Sequence, residues 1–74
     1  MSLPVVGWRD LLKVLERRGF RVVRQKGSHL FLDDGRGHYT TLPKHNEIKK
    51  GTLLKILEQA GIDRDEFITL LQDR

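Results

Sequence analysis

Between Phe20 and Leu42 the chain breaks into three short runs of alternating apolar residues, Phe20–Gln25, His29–Asp33 and His38–Leu42. Only Lys26-Gly27-Ser28 and Asp34-Gly35-Arg36-Gly37 separate them. Connections this short can join antiparallel neighbours only, because a parallel crossover needs about a dozen residues or more. The middle of the chain is therefore predicted to be a three-stranded antiparallel meander.

Register then decides which residues reach the core. A three-residue first turn sets Gln25 opposite His29 and Val22 opposite Leu32, so that Phe20, Val22, Leu30 and Leu32 share one face. Arg21, Val23, Gln25, His29 and Phe31 fall on the other. A two-residue turn groups Arg21 with Leu30 and Leu32 and Phe20 with Asp33, a poorer partition, so the three-residue turn is expected. On the third strand Thr40 and Leu42 face inward, and Tyr39 and Thr41 join His29 and Phe31 on the open side.

Helix signals flank the meander. Trp8 to Arg18 repeats apolar residues at Trp8, Leu11, Leu12 and Leu15, with Gly7 as N-cap, Asp10 at N3, a Val6–Leu11 staple and Gly19 at the left-handed C′ position. Lys13, Glu16 and Arg17 should face water, and Trp8 should lie in the core. Pro43 ends the third strand and opens a polar crossing, Lys44-His45-Asn46-Glu47. A second helix runs from Gly51 or Thr52 to Ala60, with Leu53, Leu54, Ile56, Leu57 and Ala60 inward and Gly61 as its stop. Asp63 as N-cap, Glu66 at N3 and an Ile62–Phe67 staple start a short acidic helix through about Asp73, with Phe67, Ile68, Leu70 and Leu71 inward. The expected fold class is α+β, an α-β-β-β-α arrangement with the sheet covered on one face, plus a short C-terminal helix. This is the arrangement of double-stranded-RNA-binding domains, and fold alone does not fix function.

Seventy-four residues suit one domain, 1–74, and a chain of this length buries only about 60% of its unfolded surface. With no cysteine, a disulfide framework and a cysteine-ligated metal are excluded, and a reducing compartment is the natural setting. No run approaches the roughly 20 apolar residues of a membrane helix. The opening Met-Ser-Leu-Pro-Val-Val lacks the charged start and long apolar run of a secretory signal. A cytoplasmic protein is expected. The net charge of +4 is unevenly placed: residues 1–26 carry seven Lys or Arg against two acids (+5), residues 27–50 four against three (+1), and residues 51–74 three against five (−2). Such polarity attracts phosphate to one side of the molecule.

His29 stands where that charge meets a turn, in Arg24-Gln25-Lys26-Gly27-Ser28-His29-Leu30-Phe31. Imidazole, with an unperturbed pKa of about 6.5, takes and returns protons near neutral pH. Arg24 and Lys26 beside it would hold a polyanion. RNA is a natural substrate for so small a set of groups, because the 2′-hydroxyl beside each phosphate is a built-in nucleophile. Lys44 is a further candidate phosphate holder. Gly27 supplies a turn angle that other residues resist, and Ser28 either closes the turn or lends its hydroxyl to phosphate. Phe31 and Tyr39 either stack on unpaired bases or pack across strands. His29, His38 and His45 lack the spacing of a metal site, so no metal or other cofactor is expected, and His38 is expected to be solvated.

Three signatures in order, Arg24-Gln25-Lys26-Gly27-Ser28-His29, Leu42-Pro43-Lys44-His45 and Lys49-Lys50-Gly51-Thr52-Leu53-Leu54-Lys55-Ile56-Leu57-Glu58-Gln59-Ala60-Gly61-Ile62, together with the Gly19-Phe20 junction, resemble the HicA-type mRNA interferase toxins. The resemblance covers nearly the whole chain. It implies a double-stranded-RNA-binding-like fold, ribonuclease activity on mRNA, inhibition by a HicB-type antitoxin, and a catalytic histidine at His29. His45 stands at a position shared with the family, where it touches RNA or braces the loop. Gly7 departs from relatives that often have a serine cap there. Two rival readings use the same basic face: a non-catalytic RNA-binding module, and a protein-interaction domain.

Overall fold

The computed structural model describes residues 3–72. Met1 and Ser2 of the opening segment, and the Asp73 end expected for the last helix, lie outside the described residues. The elements are α1 (Trp8–Arg17), β1 (Arg21–Lys26), β2 (His29–Asp33), β3 (Tyr39–Pro43), α2 (Lys50–Ala60) and α3 (Arg64–Gln72). The strands form one antiparallel sheet in the order β1-β2-β3. The α-β-β-β-α order with a further helix is thus the observed α+β architecture. Among the described residues no helix is long and apolar enough to cross a membrane.

The α1 end follows from its sequence. Gly19 takes φ 103°, its amide donates to the Glu16 carbonyl at 3.0 Å, and the Phe20 amide donates to Leu15 at 2.9 Å. This is the paired bonding of a Schellman motif. It turns Phe20 back onto Leu15, and both are buried. Phe20 therefore belongs to the helix exit, and β1 starts one residue later than its alternation suggests.

The first hairpin corrects the sequence reading. Lys26 pairs directly with His29, leaving a two-residue turn of Gly27 and Ser28. Gly27 has φ 58° and Ser28 does not enter positive φ, the sign pattern of a type II′ turn, whose twist suits a hairpin. The register then shifts between Val22 and Arg24, so Val22 still pairs with Leu32 as the face partition requires. Val23 is the extra residue of a β-bulge. Val22 itself is 40% exposed rather than core, because β1 is an edge strand that is exposed along its whole length.

One core joins the layers. Leu11, Val14 and Leu15 of α1 meet Leu30, Leu32 and Leu42 of the sheet, Leu53, Ile56, Leu57 and Ala60 of α2, and Ile62 and Phe67 around the start of α3. Val14 belongs to the buried stripe, whereas Trp8 and Leu12 are only partly buried. At α3, the Asp63 carboxylate accepts the Glu66 amide at 2.8 Å, as expected of an N-cap. The Glu66 carboxylate pairs with Arg18 at 2.8 Å, and Arg17 donates to the Leu70 carbonyl at 2.7 Å. Arg17 at the end of α1 and its C-cap Arg18 thus tie down α3.

The crossing after β3 is less polar in structure than in sequence. Ile48 is buried in the core, and its amide donates to Val6 at 2.8 Å, while the Trp8 amide donates to His45 at 3.0 Å. The residues around Gly7 therefore run beside His45–Ile48, so closely that a Cβ on Gly7 would sit 2.6 Å from the Asn46 carbonyl oxygen. Glycine at this position is a packing requirement as well as a cap.

Candidate nucleic-acid interface

Residues opposed in an antiparallel ladder share a face, and side chains alternate along each strand. The pairings Lys26–His29–Pro43, Arg24–Phe31–Thr41 and Arg21–Asp33–Tyr39 therefore all project from the side away from the core. The bulge matters here. In a regular strand Arg21 would face opposite to Arg24 and Lys26; the extra residue Val23 brings all three cations to the open face. Lys26 stands directly across from His29, at a Cβ separation of about 5 Å for such a pair.

His29 is exposed, and among the described residues its ring has no hydrogen-bond partner. It opens onto a groove of ≈ 420 Å³ lined by His29, Thr41 and Pro43 from the sheet, His45 from the crossing, and Thr52, Lys55, Ile56 and Gln59 from α2. A second hollow of ≈ 290 Å³, lined by Val23, Phe31 and Tyr39, shares Thr41 and Gln59 with the first. The two hollows adjoin at Thr41 and Gln59 as a trough walled on one side by α2. The buried Thr40 hydroxyl bonds Gln59 at 2.9 Å and fixes that wall to β3.

The other residues singled out in sequence divide between this trough and its margins. The Arg24 guanidinium lies 4.6 Å from the centre of the Phe31 ring, a cation–π contact that covers one ring face. Tyr39 is 66% exposed and sits at the far end of the sheet from His29. The Ser28 carbonyl accepts the Lys44 amide at 2.8 Å, tying the His29 turn to the crossing; among the described residues its hydroxyl has no partner. Lys44 does not line the trough. Its ammonium rests 5.1 Å from the Trp8 ring, and Arg9 lies 4.9 Å from the same ring. Trp8 is thus half-buried, packed against the core on one side and bearing two cations on its ring.

Three α2 residues of the trough, Thr52, Lys55 and Gln59, were not singled out in sequence. Their spacing of three and four puts them on one helix face, next to the edge of the buried Leu53, Ile56, Leu57 and Ala60 stripe. A polar stripe flanking an apolar one was the available signal.

The second turn uses its polar groups differently. The Asp33 carboxylate accepts the Gly35 amide at 2.7 Å. Asp34 accepts the Arg36 and His38 amides at 2.7 and 3.1 Å and the His38 ring at 2.7 Å. Burial pushes the Asp34 carboxyl up, but these hydrogen bonds and the nearby His38 charge outweigh it and hold the group below the ordinary 3.8. His38 is therefore braced rather than simply solvated. Among the described residues no three His, Asp or Glu side chains gather as metal ligands.

Residues 8–62 match the family model described as HicA toxin of bacterial toxin–antitoxin systems. No curated protein matches the chain significantly.

Proposed function

The chain belongs to the HicA toxin family of bacterial toxin–antitoxin systems, and from that premise we propose that it is a cytoplasmic endoribonuclease that cleaves mRNA with His29 as its acid–base group. The observation that carries this reading is the His29 ring, without a hydrogen-bond partner among the described residues and set across from Lys26 at the mouth of a groove of ≈ 420 Å³, a volume in the usual range for small-ligand sites. Arg21, Arg24 and Lys26 track the phosphates along one side. Lys55 supplies a cation from the α2 wall, and Tyr39 offers a base-stacking ring further along. The order of helix, meander and helix, shared with double-stranded-RNA-binding domains, is consistent with this.

The chemistry asks little of the protein. His29 removes the proton of a 2′-hydroxyl, the freed oxygen attacks the adjacent phosphorus, and the cations offset the charge that grows on the phosphoryl oxygens. This route needs no metal ion. Purified protein incubated with end-labelled RNA in EDTA, beside His29→Ala, tests the proposal. Cleavage by the wild type alone supports it. Retention of RNA by both without cleavage would make the chain a binding module, and no RNA contact at all would leave a protein-interaction domain.

A toxin of such a system has an antitoxin as its counterpart. A HicB-type partner that lays an acidic segment over the basic face would exclude RNA while imitating its phosphates, and it would associate faster at low ionic strength. Hydrogen exchange on the complex checks this. Protection confined to the acidic α3, with the His29 turn still exchanging, would rule out direct masking.

A further inference from the structure

Attack by a 2′-oxygen on phosphorus is in line. The entering and leaving oxygens therefore lie on opposite sides of the phosphate, and a ring placed to take the 2′-proton does not reach the 5′-oxygen. An RNA 5′-alkoxide is a poor leaving group until it is protonated, so the reaction calls for a second proton carrier on the far side of the same groove.

One further histidine borders that groove. Of the three histidines in the chain, His38 is bonded to Asp34 at the other turn, whereas His29 and His45 line the same groove from different elements. His45 is exposed, and among the described residues its ring has no hydrogen-bond partner. Its backbone, by contrast, is held from three directions. The His45 amide donates to Pro43 at 2.9 Å, its carbonyl accepts the Trp8 amide at 3.0 Å, and the preceding Lys44 amide is bonded to Ser28 at 2.8 Å. The last of these bonds joins the segment carrying His45 to the turn carrying His29, so both rings border the groove of ≈ 420 Å³ from one scaffold. Lys55 borders the same space from α2. A free ring on a fixed backbone is what a proton donor requires, and a loop brace would instead engage the ring.

We propose that His45 is the general acid of the cleavage reaction, an assignment that rests on the ribonuclease reading above. The 2′-O–P bond forms as His29 takes the 2′-proton, and the P–O5′ bond breaks as the His45 imidazolium gives its proton to the departing oxygen. The products are a 2′,3′-cyclic phosphate and a free 5′-hydroxyl. His29 ends protonated and His45 neutral, and exchange with water restores both.

The test uses two RNAs that differ at one linkage, an ordinary phosphodiester and one with sulfur in place of the bridging 5′-oxygen. The sulfur departs as a thiolate without being protonated. His45→Ala is expected to slow cleavage of the ordinary linkage by about 10²–10⁴-fold and to cleave the sulfur-bridged linkage at the wild-type rate. His45→Gln, which keeps a polar side chain without a titrating proton, is expected to follow it on both, and His29→Ala should be impaired on both. An equal loss on the two linkages, or none on the ordinary one, overturns the assignment to His45. If instead His29→Ala cuts ordinary RNA as fast as the wild type, it is the role of His29 in the proposed function that fails.

Discussion

The two ends of the sheet are built from similar parts and behave differently. Each has a glycine turn followed by a histidine, His29 after Gly27-Ser28 and His38 after Gly35-Arg36-Gly37. At the second turn Asp33 and Asp34 accept the Gly35, Arg36 and His38 amides and engage the His38 ring, and the Asp34 side chain is only 3% exposed. At the first, the side-chain bonding within the turn amounts to one long contact from Gln25 to the Gly27 carbonyl, 3.4 Å. Backbone geometry closes that turn, and the polar side chains around it stay available. A histidine is a candidate for chemistry when the fold does not already use its ring.

Removing each histidine in turn should separate the two ends most strongly. His29→Ala should lower the RNA cleavage rate by at least about 10²-fold, the lower range for loss of an acid–base group, while changing stability by no more than about 0.5 kcal/mol at an exposed position. His38→Ala should cleave at the wild-type rate and melt a few degrees lower. Reversed results would mean that the engaged ring is the reactive one.

The cations come next. Replacing Arg24 and Lys26 with Gln should weaken RNA binding and flatten its dependence on salt, each lost phosphate contact changing the logarithmic slope by about 0.7 for a single strand. An unchanged slope would move the phosphate path off β1. Gly27→Ala then tests whether backbone geometry alone closes the first turn. At φ 58° an L side chain costs about 1–2 kcal/mol, which denaturant unfolding would register; no loss would show that the turn tolerates another shape.

The smallest effect belongs to Asp34. Its carboxyl is held below the ordinary 3.8, so its contribution to stability is complete above that value and is lost as pH falls through the lowered one. Acid unfolding of the wild type should therefore be steeper in that range than that of Asp34→Asn. Parallel acid curves would remove the carboxylate from the account of the second turn.

Much of this was legible beforehand, and the gaps have physical causes. The helix stops at Gly19 and Gly61, the cap at Asp63 and the meander follow from local patterns, and the structure repeats them. The first turn was misread because face partition and turn chemistry pointed to different lengths. The chain satisfies both, with a two-residue turn at the tip and a bulge at Val23 that recovers the register of Val22 with Leu32. Such a bulge leaves no local mark in the sequence, yet it sets Arg21, Arg24 and Lys26 on one face. The half-burial of Trp8 and the core position of Ile48 escape the sequence pattern for a related reason. Their surroundings depend on the contact between Val6–Trp8 and His45–Ile48, segments far apart in the chain, which no periodicity reveals. Likewise the trough, with Lys55 on its wall, exists only once α2 is laid along β3.

The most direct test of the claim that the bare end of the sheet is the one that meets RNA is to follow the three imidazole side chains by NMR. The titrant is an oligonucleotide made uncleavable by 2′-deoxy substitution. The His29 and His45 ring signals should shift as it is added while those of His38 stay in place. Shifts confined to His38, with His29 unmoved, would contradict it.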